Sequence, residues 1–103
     1  MKQVKRRYLA LQLEMEELPT EKDFLDAIWG VVGKLYGEYG ASLTSLALIS
    51  LDAERKIAII RTSLETLDFV RASLASLTIV AGREASVHVL GVSGTIKSLF
   101  EKL

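Results

Sequence analysis

The stretch "KRRYLALQLE" (5–14) sets Leu9, Leu11 and Leu13 against Tyr8, Ala10 and Gln12, the period of two expected of a strand. The acidic "EMEELP" (14–19), with the chain's single proline at Pro19, closes it. From Thr20 the period lengthens. Thr20 is placed to cap a helix, with Asp23 at the third helical position as an aspartate form of the capping box. Phe24, Ile28, Val31, Val32 and Leu35 then recur at helical spacing and predict a buried stripe over about 20–36.

"YGEYGAS" (36–42) predicts a glycine-punctuated turn. "LTSLALISLD" (43–52) and "RKIAIIRT" (55–62) follow as two strands of a hairpin joined through Asp52, Ala53 and Glu54. Ser63 is the expected cap of a second helix over about 64–77, with Leu67, Val70, Leu74 and Leu77 as its core face. "TIVAGRE" (78–84) is ambiguous and is taken as a helix end and turn pivoting on Gly82. "EASVHVLGV" (84–92) is the fourth strand, and Ser93 the expected cap of a final helix carrying Ile96, Leu99, Phe100 and Leu103 on one side.

The order β-α-β-β-α-β plus a terminal helix predicts one α+β domain over 1–103, a ferredoxin-like split βαβ sandwich with a four-stranded antiparallel sheet and two packed helices. Strand two places Leu46 and Leu48 on one side and Ala47, Ile49 and Leu51 on the other. With apolar residues on both faces, the face away from the two helices also needs a cover. The C-terminal helix or a partner would supply it.

Thirteen basic residues balance thirteen acidic ones, which disfavours a free-standing nucleic-acid binder with a general basic excess. The absence of cysteine excludes disulfides, a thiolate nucleophile and a cysteine-based zinc site. No apolar run approaches the ~20 residues that span a bilayer, and the basic start runs into an alternating pattern unlike a signal peptide. The expected setting is cytoplasmic, without a membrane.

Catalytic constellations are missing. Two-histidine ribonuclease chemistry needs a base and an acid, whereas His88 is the single histidine, between Val87 and Val89; it reads as a structural histidine satisfied by a neighbour. No serine sits in a nucleophile elbow. Glu14, Glu16, Glu17, Glu21, Asp23 and Asp26 read as a solvated edge, the last three well placed against a helix dipole. "GVSGTIKS" (91–98) is not a nucleotide-hydrolysis loop, because Ile96 and not glycine precedes Lys97. The N–H groups of Gly94, Thr95 and Ile96 beside Lys97 could still receive a phosphate, unless Ser93 caps them. Strand three lacks the aromatics of a base-stacking sheet, so RNA contacts would run through phosphates at Lys5, Arg6, Arg7, Arg61 and Lys97; a solvated strand end is the plain alternative at 5–7. Gly30 and Gly33 lie off the first helix's apolar stripe, Trp29 on its shoulder, and Phe69 opposite the second helix's core face. These four are the candidate protein interface.

"RRYLALQLE" (6–14), "LYGEYGA" (35–41), "IIRTS" (59–63), "VRASLASLTIVAG" (70–82) and above all "LGVSGTIKS" (90–98) resemble the ribonuclease P protein component 2 family, archaeal relatives of a eukaryotic Pop subunit. The similarity runs in order from about Arg6 to Ser98. It implies an RRM-like sandwich acting as a noncatalytic subunit of the ribonucleoprotein that removes 5′ leaders from precursor tRNA. The RNA and its magnesium ions would do the chemistry, with no cofactor on this chain. The implied partners are the ribonuclease P RNA, a TIM-barrel protein component 3, a second copy within a heterotetramer, and precursor tRNA in the holoenzyme. Arg7 and Tyr8 match the first-strand motif, Arg61 the arginine after strand three, and Ser93, Gly94, Thr95 and Lys97 the terminal motif, with Arg6, Arg7, Arg61 and Lys97 as expected phosphate contacts. The rival readings are a pure protein-interaction module and a small-ligand regulatory domain of ferredoxin-like shape.

Overall fold

The computed structural model describes residues 5–103. Strand β1 (Arg6–Glu14) is followed by helix α1 (Glu21–Ser42), strands β2 (Ala47–Asp52) and β3 (Ile57–Ser63), and a single 3₁₀ turn (Leu64–Thr66). Helix α2 (Leu67–Ser76), a small hairpin of β4 (Ile79–Val80) and β5 (Arg83–Glu84), strand β6 (Ser86–Ser93) and helix α3 (Ile96–Glu101) complete the chain. The main sheet has the order β2-β3-β1-β6 with every pair antiparallel, as expected of the split βαβ sandwich.

The main core lies between one sheet face and helices α1 and α2. Leu9, Leu11 and Leu13 from β1 and Ala58 and Ile60 from β3 meet Phe24, Ile28 and Val32 of α1 and Val70 and Leu74 of α2. The stripe on α1 stops earlier than its spacing predicts, for Leu35 is 49% exposed. Thr20 caps α1 as expected, its Oγ1 accepting from the Asp23 N–H at 3.1 Å.

The opposite face has a smaller core of Ala10, Ile59 and Leu99, with Tyr8 and Ile57 packed around it. Helix α3 is therefore its cover, seated through the fully buried Leu99 and tied down by the Lys102 ammonium donating to the Val92 carbonyl at 2.7 Å. Phe100 and Leu103, expected on the buried side, are about half exposed. A helix this short reaches the sheet with little more than one turn.

Several boundaries depart from the sequence pattern for local reasons. At Gly37, φ of +78° bends α1 without ending it, and the helix resumes to Ser42. A methyl on Gly40 would lie 2.9 Å from the Tyr36 Cβ, so only glycine permits that closing turn. The extra turn consumes residues assigned to strand two, which starts at Ala47 instead of 43. The register of β2 slips between Leu48 and Ser50, leaving Ile49 as a bulge. Leu51 is thereby returned to the helix-packed side with Leu48, not to the opposite side as strict alternation requires. The β2–β3 loop is also longer than expected, running from Ala53 to Lys56; Asp52 Oδ1 accepts from the Glu54 and Arg55 N–H groups there.

Residues 78–84 form a hairpin, not a helix end. Ala81 and Gly82 both take positive φ, +52° and +78°, the pattern of a two-residue hairpin turn whose twist suits the flanking strands. Ser63 makes no capping bond and precedes the 3₁₀ turn. Ser93 ends β6, and Thr95 is the cap of α3, its Oγ1 accepting from the Ser98 N–H at 3.1 Å.

Because Leu99 is the one fully buried anchor of α3, Leu99→Ala should destabilise the protein by about 2–5 kcal/mol in urea unfolding. It should also expose the Tyr8 side of the sheet to hydrogen exchange, whereas Phe100→Ala should change little.

Candidate nucleic-acid interface

The strand register gathers the predicted basic residues from separate parts of the chain. Arg6 stands opposite Ser63, Arg7 opposite Thr62, and Tyr8 opposite both Arg61 and Ser93. The Lys5 carbonyl accepts from the Leu64 N–H at 2.8 Å. The start of β1, the end of β3 and the end of β6 thus form one end of the sheet. The loop into α3 joins them: a methyl at Gly94 would sit 3.5 Å from the Arg7 guanidinium. Lys97 follows in the first turn of α3 and is exposed, as are Lys5, Arg6, Gly94 and Thr95. Ser93 is nearly buried; its Oγ takes a long bond from the Thr95 N–H at 3.5 Å.

A network of buried hydroxyls holds this end in place. Thr44, Thr62, Ser63 and Thr66 are all buried. The Thr44 carbonyl accepts from the Ser63 N–H at 2.7 Å and from Thr62 Oγ1 at 2.9 Å. Ser63 Oγ donates to the Leu43 carbonyl at 3.0 Å and lies 2.6 Å from Thr66 Oγ1. The loop after α1 is thereby fastened to the strand end that carries Arg61. Sequence reading missed this network, since threonines and serines scattered over 44–66 show no period; the signal was their unusual density around "RTS".

The other end of the sheet is acidic and internally paired. Glu17 meets Arg83 at 2.6 Å, Asp52 meets Arg55 at 3.1 Å and Glu14 lies 3.4 Å from His88. The hydrogen bond from the Arg55 side chain holds the Asp52 carboxyl below the usual carboxylate range. Lys56 donates to the Met15 carbonyl at 3.0 Å. His88, also 3.4 Å from Ser86 Oγ, is satisfied by neighbours, as its strand position suggested. Among the described residues, none of Lys5, Arg6, Arg7, Arg61 and Lys97 makes an ion pair, and the buried Nε of Arg61 has no hydrogen-bond partner.

The residues expected at a protein interface are less uniform. Phe69 does not project freely: it stacks on Tyr36 of α1 with ring centroids 4.1 Å apart and planes at 8°, so its stripe faces the neighbouring helix. Trp29 is half-buried against the main core. A Cβ added at Gly30 or Gly33 would meet nothing within 4 Å, so both glycines border open space. Among the described residues no cluster of histidine, aspartate and glutamate could hold a metal ion, and no helix is long and apolar enough to cross a membrane.

Known proteins share both sequence and shape with this chain. The family model described as the Rpp14/Pop5 family matches residues 7–103. The chain is 36% identical over 98 residues to ribonuclease P protein component 2 of Methanosarcina mazei, covering 95% of this chain and 83% of that protein. The same-named protein of Pyrococcus abyssi is 32% identical, again over 95% of this chain and 83% of its own. A chain in the cryo-EM structure of yeast ribonuclease MRP superposes with a TM-score of 0.73 at 14% identity, covering 99% of this chain and 93% of that one; at that identity the likeness is one of fold.

Removing one hydroxyl from the network leaves buried polar groups unpaired, so Thr66→Val should destabilise the protein by about 1–3 kcal/mol in chemical unfolding. Thr78→Val, exposed and outside the network, should stay within about 0.5 kcal/mol of the parent.

Proposed function

The chain is a member of the Rpp14/Pop5 family, and on that premise we propose that it is a noncatalytic protein subunit of ribonuclease P that stabilises the active fold of the catalytic RNA for removal of the 5′ leader from precursor tRNA. The observation that carries the reading is the convergence of Lys5, Arg6, Arg7, Arg61 and Lys97 at one sheet end, while the ion-paired carboxylates lie at the other. A formally neutral protein thus presents a cationic edge. Cations without protein counterions are the groups that phosphates recruit, because binding releases the counterions condensed on the polyanion.

In this reading the side chains supply position, not bond-breaking. Lys5, Arg6 and Lys97 act as phosphate contacts, and Arg7, lying against Gly94, keeps the α3 loop and the start of β1 in one arrangement. Ser93, Gly94 and Thr95 shape that loop. The hydrolytic magnesium ions belong to the RNA and none to this chain. The protein partners are a TIM-barrel component 3 and a second copy of this chain, docked away from the cationic edge on the α1 surface around Trp29, Gly30 and Gly33; precursor tRNA meets the assembled particle, in the cytoplasm.

The test is precursor-tRNA cleavage by the RNA and companion subunits with and without this protein. Cleavage at low magnesium should require it, and equal maturation in its absence overturns the reading. Replacing Arg6, Arg7 and Lys97 with alanine should weaken RNA binding and lower the slope of log affinity against log salt by about 2–3, at ~0.7–0.9 per lost phosphate contact. An unchanged slope removes those residues from the interface.

A further inference from the structure

One row of side chains crosses the α3-covered face at the cationic end: Ala47 on β2, Arg61 on β3, Tyr8 on β1 and Ser93 on β6, each directly opposite the next. Facing residues in an antiparallel pair share a sheet face, so the ring of Tyr8 and the guanidinium of Arg61 are neighbours flanked by two small residues. The next row inward, Ile59, Ala10 and Gly91, is the one that Leu99 of α3 covers. The seat of α3 therefore ends where the Tyr8 row begins.

Three properties set this row apart. Tyr8 is the only aromatic side chain in the four main strands; it is half-buried, resting on the Ala10–Ile59–Leu99 cluster with the rest of its ring open. The Arg61 Nε is buried with no hydrogen-bond partner, and a buried donor left unmade is costly enough that one without a purpose is rare. No carboxylate among the described residues pairs with Arg61 or with Lys97 nearby.

We propose that Tyr8 and Arg61 form a seat for one unpaired nucleobase of a bound RNA: the ring stacks on Tyr8, and Arg61 donates to the base edge or to its phosphate. The proposal rests on the phosphate-contact reading above and adds what that reading lacks, a preference for single-stranded over paired RNA. An unstacked base has an open face and free edge acceptors, which phosphates in a duplex do not offer. The cationic surroundings and the open Arg61 donor favour a nucleotide over an apolar peptide side chain as the occupant. The sheet has no second aromatic to prolong the stack, so the seat holds one base and not a run.

The full-length chain is titrated with a single-stranded oligoadenylate and with its duplex with oligouridylate, at several salt concentrations. Tyr8→Leu keeps the apolar packing on Leu99 but removes the π face. It should lose about 5- to 100-fold in affinity for the single strand, the range for one stacked base, with little change for the duplex and an unaltered salt slope. Tyr8→Phe should retain binding. Arg61→Lys keeps the charge but not the planar fork of donors, and should reduce the single-strand preference in the same way. A loss equal on both probes, or on neither, overturns the base seat while leaving the phosphate contacts standing, since those are read separately in the salt slope of Arg6→Ala. Failure of the unsubstituted protein to bind either probe counts against both readings. Unchanged far-ultraviolet circular dichroism and melting temperature for Tyr8→Leu keep the comparison free of unfolding.

Discussion

Strand β1 is hydrogen-bonded along both edges and covered on both faces, so its charges can lie only at its two ends. Leu9, Ala10 and Leu11 are consecutive and fully buried, Leu9 and Leu11 facing α1 and α2, and Ala10 facing Leu99 of α3. A desolvated charge in that span would carry a penalty that no single contact repays. The sequence accordingly opens the strand with Arg6 and Arg7 and closes it with Glu14. Both ends inherit their chemistry from this central strand, because the neighbouring strands align on it.

Charge separation of this kind reconciles zero net charge with a cationic surface. The carboxylates gather where β1 ends, and there they meet Arg83, Arg55 and His88 within the same molecule. Such exposed pairs contribute little stability. Their larger effect is on composition: they use up anions and cations together at one end, so that the other end keeps unneutralised arginine and lysine. Polyanion binding responds to the local field at the contact surface, and a neutral total is no obstacle to it.

Helix α3 has two consequences for that surface. By seating Leu99 on Ala10 and Ile59 it closes most of the face on which a sandwich of this shape would otherwise spread several bases. By starting at Thr95, beside the row of Arg61 and Tyr8, it leaves the cationic end of the face open. The hydroxyl network of Thr44, Thr62, Ser63 and Thr66 fixes the backbone on which Arg61 is carried, so the arginine projects from a rigid strand end and not from a mobile loop.

The order of elements, the stripes that became the main core and the Thr20 cap follow from local periodicity and side-chain chemistry, because each depends on residues within a turn or a strand of one another. The bulge at Ile49, the bend at Gly37, the hairpin at Ala81–Gly82 and the stacking of Phe69 on Tyr36 do not, since each is decided by what lies across the fold. The basic residues were individually visible at 5–7, 61 and 97, and so was the small-residue doorway before the last helix. That they share one edge, that the acids are spent at the opposite one, and that Arg61 stands beside Tyr8 with a donor unmade were decided by strand register alone. Register is a long-range pairing, fixed by burying both faces of a sheet at once, and no window of sequence contains both partners.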